Sequence, residues 1–228
     1  MINSDLSVRV VLDTESMAWL ATEEVGVGRK PLDRDGGAEA RATNLVKCAP
    51  GASYTLPAHG LGEEILVLEG VLEDDRAEHS AGAYMRNPPG SQCTLRTDQG
   101  CVLFVKRYAF EPADSAVVRI DTVNATWLPG MVPGLSVLPL HGHQHEHAAL
   151  VRWQPETRFQ PHAHFGGEEI LVLSGVFEDE YGSYPAGTWI RSPHMSRHQP
   201  FSPSGCTIYV KTGHLLMTDN SRPTVLSE

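Results

Sequence analysis

Residues Pro161–Gly175 form the stretch PHAHFGGEEILVLSG, and this stretch decides how the rest of the sequence is interpreted. His162 and His164 are two positions apart, so on an extended strand both imidazoles project from the same face. The two glycines that follow predict a tight turn with positive φ angles. The apolar run after them predicts a second strand, which begins at Glu168.

A metal site is predicted from this stretch together with one histidine further along the chain. If a returning strand brings His198 back to the first two histidines, three imidazole nitrogens and a carboxylate surround one point. Such donors suit zinc, iron(II), manganese or nickel, and ligand type alone does not choose between these ions. Single histidines on strands are usually ordinary polar residues, but four potential ligands at this spacing favour a site. The predicted ligands are His162, His164, Glu168 and His198.

The sequence contains this unit twice. A shift of 105 residues places His59–Lys106 on His164–Lys211 without a gap, with GEEILVLEGVLED over GEEILVLSGVFED. Further upstream the shift becomes 108, with Trp19 over Trp127, so the first copy holds three extra residues. A repeat of this size indicates two related structural units, and an internal pseudo-two-fold arrangement is expected.

Each copy consists of short apolar runs separated by proline and glycine, and convincing amphipathic helices are absent. Runs such as Ile65–Leu68 and Ile170–Leu173 are typical of an all-β sandwich or barrel. We assign the first unit to residues 1–109 and the second to residues 110–228. The segment Phe110–Ala125 contains the alternating run VVRIDTV and is predicted to connect the units and to carry a strand between them.

The spacing HxHxxxE, followed by Gly175 and later by a Pro-x-Gly and a further histidine, resembles the two metal-binding motifs of the cupin superfamily. The segment HFGGEEILVLSGVFEDEYGSYPAGTWIRSP, with GCTIYVK beyond it, is similar to the cupin domain of ChrR-type anti-sigma factors, which are zinc-containing regulators of extracytoplasmic-function sigma factors. This resemblance implies a bicupin, that is, two tandem jelly-roll cupin barrels, with zinc bound in the second. The ligand positions of the family fall on His162, His164, Glu168 and His198.

The resemblance also implies a regulatory or sensory role that acts on transcription through a protein partner such as a sigma factor. In ChrR-type proteins a helical zinc domain, with a histidine shortly ahead of a CxxC, holds the sigma factor. These 228 residues contain no CxxC, and their N-terminal half resembles a second cupin. The resemblance therefore covers the cupin and not the sigma-binding domain.

An enzymatic interpretation rests on the same residues. Cupins of related sequence include iron(II) dioxygenases that cleave carbon–carbon bonds of diketones and hydroxylated aryl ketones. A six-coordinate ion with four protein ligands keeps two positions for a small-molecule ligand, whereas a tetrahedral zinc would be closed and structural. Regulator, dioxygenase and purely structural metal all stay open, and the glutamate favours the regulator because three-histidine iron sites are usual in those enzymes.

The first copy keeps only part of the ligand set, since its corresponding positions hold Pro57, His59, Glu63 and Cys93. A thiolate is a good zinc donor, so the last three residues could form a three-ligand site. The proline stiffens the backbone, and we favour a barrel that has lost its metal. An oxidisable thiol at Cys93 is the remaining alternative.

The composition is that of an ordinary soluble globular protein, with 41% hydrophobic and 20% charged residues. A net charge of −10 and the absence of basic runs disfavour direct binding to nucleic acid. Neither a signal peptide nor a membrane span is predicted, and the four cysteines form no dense framework, so we expect a cytoplasmic protein with reduced thiols. The expected partners are another protein and a small molecule at the metal, and a homo-oligomer is compatible with the sequence.

Two further groups of polar residues are interpreted as structural and not as ligand-binding. The alternating histidines of segment 141–147 are predicted to be a solvated loop or strand edge rather than a metal site. Arg86 and Arg191 occupy equivalent positions in the two copies and are predicted to form buried salt bridges or loop clamps rather than to bind substrate.

Overall fold

The chain is built from β-strands in the computed structural model. The structure describes residues 1–37, 40–55, 62–91, 94–107, 110 and 113–215. These residues contain no helix, and hence no helix that is long and apolar enough to cross a membrane. The predicted all-β class is confirmed.

The strands of the two repeats follow in chain order. The first repeat contributes β1 (Val10–Asp13), β2 (Leu20–Ala21), β3 (Val27–Arg34), β4 (Ala42–Cys48), β5 (Ser53–Thr55), β6 (Glu63–Glu73), β7 (Glu78–Ser80), β8 (Ala83–Asn87), β9 (Thr94–Arg96) and β10 (Cys101–Arg107). The second contributes β11 (Val118–Asp121), β12 (Leu128–Pro129), β13 (Leu135–His143), β14 (Glu146–Trp153), β15 (Thr157–Arg158), β16 (His162–Ala163), β17 (Glu168–Asp179), β18 (Gly182–Pro185), β19 (Thr188–Ser192), β20 (Arg197–His198), β21 (Phe201–Ser202) and β22 (Cys206–Thr212).

Two sheets have the same strand order. The first sheet runs β11-β8-β6-β10-β4-β3-β2, and the second runs β1-β19-β17-β22-β14-β13-β12. Each strand of one sheet has its repeat counterpart at the same place in the other, so the sequence duplication is also a duplication of structure. In the second unit β16 and β20 pair as an additional two-stranded sheet.

The two units exchange their first strands. Strand β1 pairs with β19 of the second unit, and strand β11 pairs with β8 of the first. The strand predicted between the barrels within Phe110–Ala125 is therefore confirmed as β11, whereas its counterpart β1 was not anticipated. Each exchanged strand belongs to the sheet of the other repeat. The assignment of residues 1–109 and 110–228 to two units therefore follows the sequence repeats, and it remains a prediction as a division into structural domains.

Buried arginines hold both exchanged segments. Arg86 donates to the carbonyl of Ala116 (2.8 Å) and to the carboxylate of Asp114 (2.6 Å), both in the segment that leads into β11. Arg191 donates to the carbonyl of Asp5 (2.7 Å), in the segment that leads into β1. Both guanidinium groups are fully buried, and their predicted role as clamps is confirmed.

A third hydrophobic core lies between the units, in addition to the core inside each one. Reciprocal ion pairs accompany it: Lys106 of β10 contacts Glu169 of β17 at 2.5 Å, and Lys211 of β22 contacts Glu64 of β6 at 2.8 Å. Burial opposes ionisation of Glu169, but Lys106 holds the pKa of its carboxyl well below the usual value. Removing one partner of a buried pair costs about 3–5 kcal/mol, so loss of Lys106 or Lys211 would weaken the contact between the units.

Candidate metal centre

The four predicted ligand residues come together in the second unit. His162 and His198 are direct partners in the register of β16 and β20, His164 follows β16, and Glu168 begins β17. One ligand atom from each residue lies within 4.8 Å of all the others. The return of His198 to the other histidines occurs as predicted, although β16 and β20 form their own small sheet instead of joining the main one.

The glycine pair makes the turn that delivers Glu168 to this point. Gly166 and Gly167 have φ angles of 71° and 74°, as the sequence predicted. A Cβ atom at Gly166 would lie 2.6 Å from the backbone of Gly213, and one at Gly167 would lie 2.7 Å from the side chain of Leu215. Positive φ and close packing both require glycine here, so the turn is fixed by sequence.

Each imidazole has a neighbour at Nδ1 that turns Nε2 toward the centre. The neighbours are the Gln160 carbonyl for His162 (3.1 Å), the Ser196 hydroxyl for His164 (3.0 Å) and the Asp179 carboxylate for His198 (3.3 Å). Histidines that bind metals are generally held in this way, because a fixed ring orientation and tautomer leave the other nitrogen free to coordinate.

Asp179 is a supporting residue that sequence reasoning missed. Its carboxylate accepts hydrogen bonds from Tyr184 (2.7 Å) and Arg9 (2.9 Å) as well as contacting His198. Arg9 immediately precedes β1, so the exchanged N-terminal segment contacts Asp179, the residue that holds His198 in the second unit. The repeat contained a signal, since Asp74 occupies the matching position and likewise contacts a histidine, His79, and an arginine, Arg119.

The electrostatics of the site favour neutral imidazoles at His162 and His164. His164 and His198 are each 5% exposed and Glu168 is 6% exposed. Burial lowers the pKa of His164 to about 3 and also lowers the pKa of His162, while burial raises the pKa of Glu168 to about 7. Neutral imidazoles keep the lone pairs that a metal ion needs, and a nearby cation would favour the ionised form of the glutamate.

Two buried polar atoms at the centre have no hydrogen-bond partner among the described residues, namely Glu168 Oε2 and His198 Nε2. His162 Nε2 and His164 Nε2 lie 3.0 Å apart, and Glu168 oxygens lie 3.5 and 3.6 Å from His164 Nε2 and His198 Nε2. Two donors about 2.1 Å from a single zinc ion are separated by roughly 3.0–3.4 Å. The residues therefore fit a shared cation, and the group could hold a metal ion.

An apolar cavity adjoins the centre. Its volume is about 160 Å³, and His162, Glu168 and His198 form part of its wall. Phe159 and Phe177 are among the apolar residues that line the rest. A small molecule with an apolar body could thus approach the ligand side chains from inside the second unit.

The corresponding carboxylate of the first unit has a different environment. Glu63 forms an ion pair with Arg107, which is its direct neighbour across β6 and β10. Pro57, His59 and Cys93 lie outside the described residues, so the predicted alternatives for a three-ligand site or a reactive thiol stay predictions. In the second unit the neighbour of Glu168 in the same register is Thr212, which carries no charge.

The alternating histidines of segment 141–147 lie on the hairpin of β13 and β14. His141 contacts the carboxylate of Asp114 at 2.7 Å, and the remaining histidines of the segment are at least partly exposed. They are absent from the one group of potential metal ligands found among the described residues. The segment is thus a largely solvated hairpin, in line with one of the two predicted alternatives, and not a strand edge, because β13 and β14 each have a further neighbouring strand.

A scan against protein-family models matches the ChrR cupin-like domain twice, at residues 7–111 and 115–216. The chain belongs to the ChrR cupin-like domain family. The two matches correspond to the two repeats, so the chain is a tandem pair of cupin domains, as the sequence predicted. A search of curated proteins found no significant match to this sequence.

Several solved structures share this fold. A protein from Nostoc punctiforme described as a candidate dioxygenase has a TM-score of 0.76 at 12% identity, with 93% of this chain and 85% of that chain covered. A cupin 2 conserved barrel domain protein from Leptotrichia buccalis has a TM-score of 0.63 at 9% identity, covering 93% and 99%. Oxalate decarboxylase from Lactobacillus farciminis has a TM-score of 0.61 at 14% identity, covering 90% and 86%. At these identities the similarity establishes the fold alone.

Proposed function

We propose that this protein is a metal-dependent regulatory bicupin that binds one zinc ion per chain through His162, His164, Glu168 and His198. The observation that carries the proposal is the buried convergence of these ligand atoms in a chain that the ChrR cupin-like model matches twice. When bound, the ion would supply a fixed positive charge beside the Glu168 carboxylate. The chain's own residues orient the three rings through their Nδ1 contacts and exclude water by burial.

The proposed regulatory partner is a protein, with an extracytoplasmic-function sigma factor as the first candidate. The support for this choice is the family match, together with a net charge of −10 that disfavours direct binding to nucleic acid. We place this protein in the cytoplasm, where such a partner would be found.

The partner is tested by co-expressing the full chain with an extracytoplasmic-function sigma factor from the same genome and analysing the mixture by size-exclusion chromatography. A complex that forms with the zinc-loaded protein and is weakened in the His198→Ala variant would support a metal-dependent regulator. Separate elution of both proteins with every sigma factor of that genome would contradict the anti-sigma role.

A second candidate function is that of an iron(II) dioxygenase that cleaves carbon–carbon bonds of diketones or hydroxyaryl ketones. The specific observation in its favour is the apolar cavity of about 160 Å³ whose wall includes three of the four ligand residues. In this proposal the histidines hold the metal and the apolar wall, including Phe159 and Phe177, receives the body of the substrate.

Oxygen uptake by the iron-loaded protein with β-diketones tests the enzyme, with His162→Ala as the control. Uptake that requires both substrate and His162 would favour the dioxygenase over the regulator. No uptake with any diketone or hydroxyaryl ketone would contradict it. If the enzyme and the sigma-factor complex both fail, the metal is left with a structural role.

A further inference from the structure

A second and larger cavity lies between the two units. Its volume is about 590 Å³, which is within the range of roughly 300–1,000 Å³ that is usual for small-molecule sites. Much of its wall is aliphatic and comes in pairs of equivalent residues from the two repeats. The pairs include Leu45 with Leu150, Leu66 with Leu171, and Leu68 with Leu173.

This cavity is distinct from the candidate metal centre. None of the four predicted ligands lines it. Leu171 and Leu173 of β17 face the cavity between the units, whereas Glu168 and Ile170 of the same strand line the cavity beside the metal centre. Alternate residues of a strand project from opposite faces, so the two cavities lie on opposite sides of β17.

Lys30 breaks the symmetry of the aliphatic wall. Its counterpart in the second repeat is Leu138, and both side chains are 5% exposed. The Lys30 ammonium donates to the carbonyl of Thr14 (2.8 Å) and lies 4.5 Å from the ring centre of Trp19. Within the described part of the chain, no carboxylate lies within 4.0 Å of it. Lys30 is therefore a buried cation in the wall of a cavity of mixed polar and aliphatic lining, and it has no carboxylate partner among the described residues.

The other charged residues in the wall are exposed. Glu15, Glu69 and Lys47 all line the cavity from solvent-accessible positions, so water and salt screen their fields strongly. A buried ammonium keeps a much stronger interaction with an anion, because little solvent competes for it. The wall thus combines one buried positive charge with paired aliphatic side chains from the two repeats.

We propose that the cavity between the units binds a small organic monocarboxylate with an aliphatic body. Its carboxylate would pair with Lys30, and its chain would lie along the paired leucines. The single buried cation specifies one carboxylate per ligand, because an acid with two charges would have to bury the second without a partner. This inference is independent of metal binding and of the proposed regulatory function.

Calorimetric titration of the protein as purified tests the site, with octanoate as the probe and 1-octanol and octyltrimethylammonium as uncharged and cationic controls. We expect octanoate to bind with one-to-one stoichiometry and at least about tenfold more tightly than octanol, which is the scale of a hydrogen bond to a charged group. The cationic control should not saturate the site.

The discriminating variant is Lys30→Leu, which copies the natural counterpart Leu138 and should therefore fold, as thermal unfolding will verify. It should lose about tenfold or more in octanoate affinity while its octanol affinity is unchanged, and Lys30→Met serves as a second variant that keeps an unbranched side chain. The matched control Lys47→Met, at an exposed position of the same wall, should change octanoate affinity by less than about threefold.

Two results would overturn the proposal. One is the absence of saturable octanoate binding to the unaltered protein at millimolar concentration. The other is octanoate binding that persists undiminished in both Lys30 variants, which would place the carboxylate elsewhere, for example at the metal centre.

Discussion

Glu63 begins β6 in the first unit and Glu168 begins the equivalent strand β17 in the second, yet their buried carboxylates contact different side chains. Glu63 pairs with the guanidinium of Arg107, while Glu168 lies beside the imidazoles of His164 and His198 and has Thr212 as its cross-strand neighbour. The backbone register around the two carboxylates is equivalent. The comparison shows that the same fold pairs this carboxylate with an arginine in one unit and leaves it available to a metal ion in the other.

The largest effect on the metal centre is expected when the arginine of the first unit is introduced at the equivalent position of the second. In the Thr212→Arg variant the new guanidinium lies directly across from Glu168, because opposite residues of antiparallel strands share a face. We expect zinc affinity to fall by about a thousandfold or more, the scale of a buried ion pair. Competition with a chromophoric chelator measures the change. Thr212→Val, which is similar in size but uncharged, should retain the affinity, and equal zinc binding by both variants would contradict the account.

The reverse change removes the cation from the first unit. Arg107→Thr deprives Glu63 of its ion pair, and we expect the free energy of unfolding to fall by about 3 kcal/mol. Denaturant titration measures it. Adding Glu63→Gln to this variant should recover part of the loss because the buried charge is then gone. If the double variant is less stable than Arg107→Thr, Arg107 is not what compensates the carboxylate.

A smaller effect is expected from the residue that supports His198. Asp179→Asn keeps the shape of the side chain but removes the charge at the Nδ1 contact, so zinc affinity should fall about 10- to 100-fold. The equivalent change Asp74→Asn in the first unit is the matched control and should leave zinc affinity unchanged. Equal losses in both variants would show that the effect is a general destabilisation and not support of the metal centre.

The pH dependence of stability should also reflect a group found in the second unit. Burial lowers the pKa of His214 to about 3, whereas an unfolded histidine has a pKa of about 6.5. The unfolded chain therefore binds the additional proton as the pH falls from about 6.5 toward 3, and this contribution to stability is lost over that interval. Relative to His214→Gln, the unaltered protein should lose about 1 kcal/mol more per pH unit in this range, measured by denaturant titration. Parallel pH profiles for the two proteins would contradict the assignment.

The fold and the four candidate ligands could be predicted because local signals were strong and occurred twice. The spacing of His162 and His164, the glycine turn and the apolar strand after Glu168 are all short-range features. The resemblance to the cupin motifs added His198 to them, since its counterpart in the first copy is a cysteine. Matched apolar runs in both copies then indicated paired sheets.

The exchange of β1 and the contacts of Asp179 could not be predicted in the same way. Strand β1 has only four residues, Val10–Asp13, and it pairs with residues about 180 positions further along the chain, as in the register of Val10 with Arg191. The Arg9–Asp179 contact depends on that exchange. The role of Arg107 likewise follows only from the strand register that places it across from Glu63. No sequence motif encodes that register.

The most direct test of the contrast between the two units is the metal content of the purified protein, determined by elemental analysis beside protein concentration. The unaltered protein should contain one zinc ion per chain, the His162→Ala and His198→Ala variants should contain none, and the first-unit variant His59→Ala should still contain one. Two ions per chain, or full occupancy in the His162→Ala and His198→Ala variants, would contradict the account.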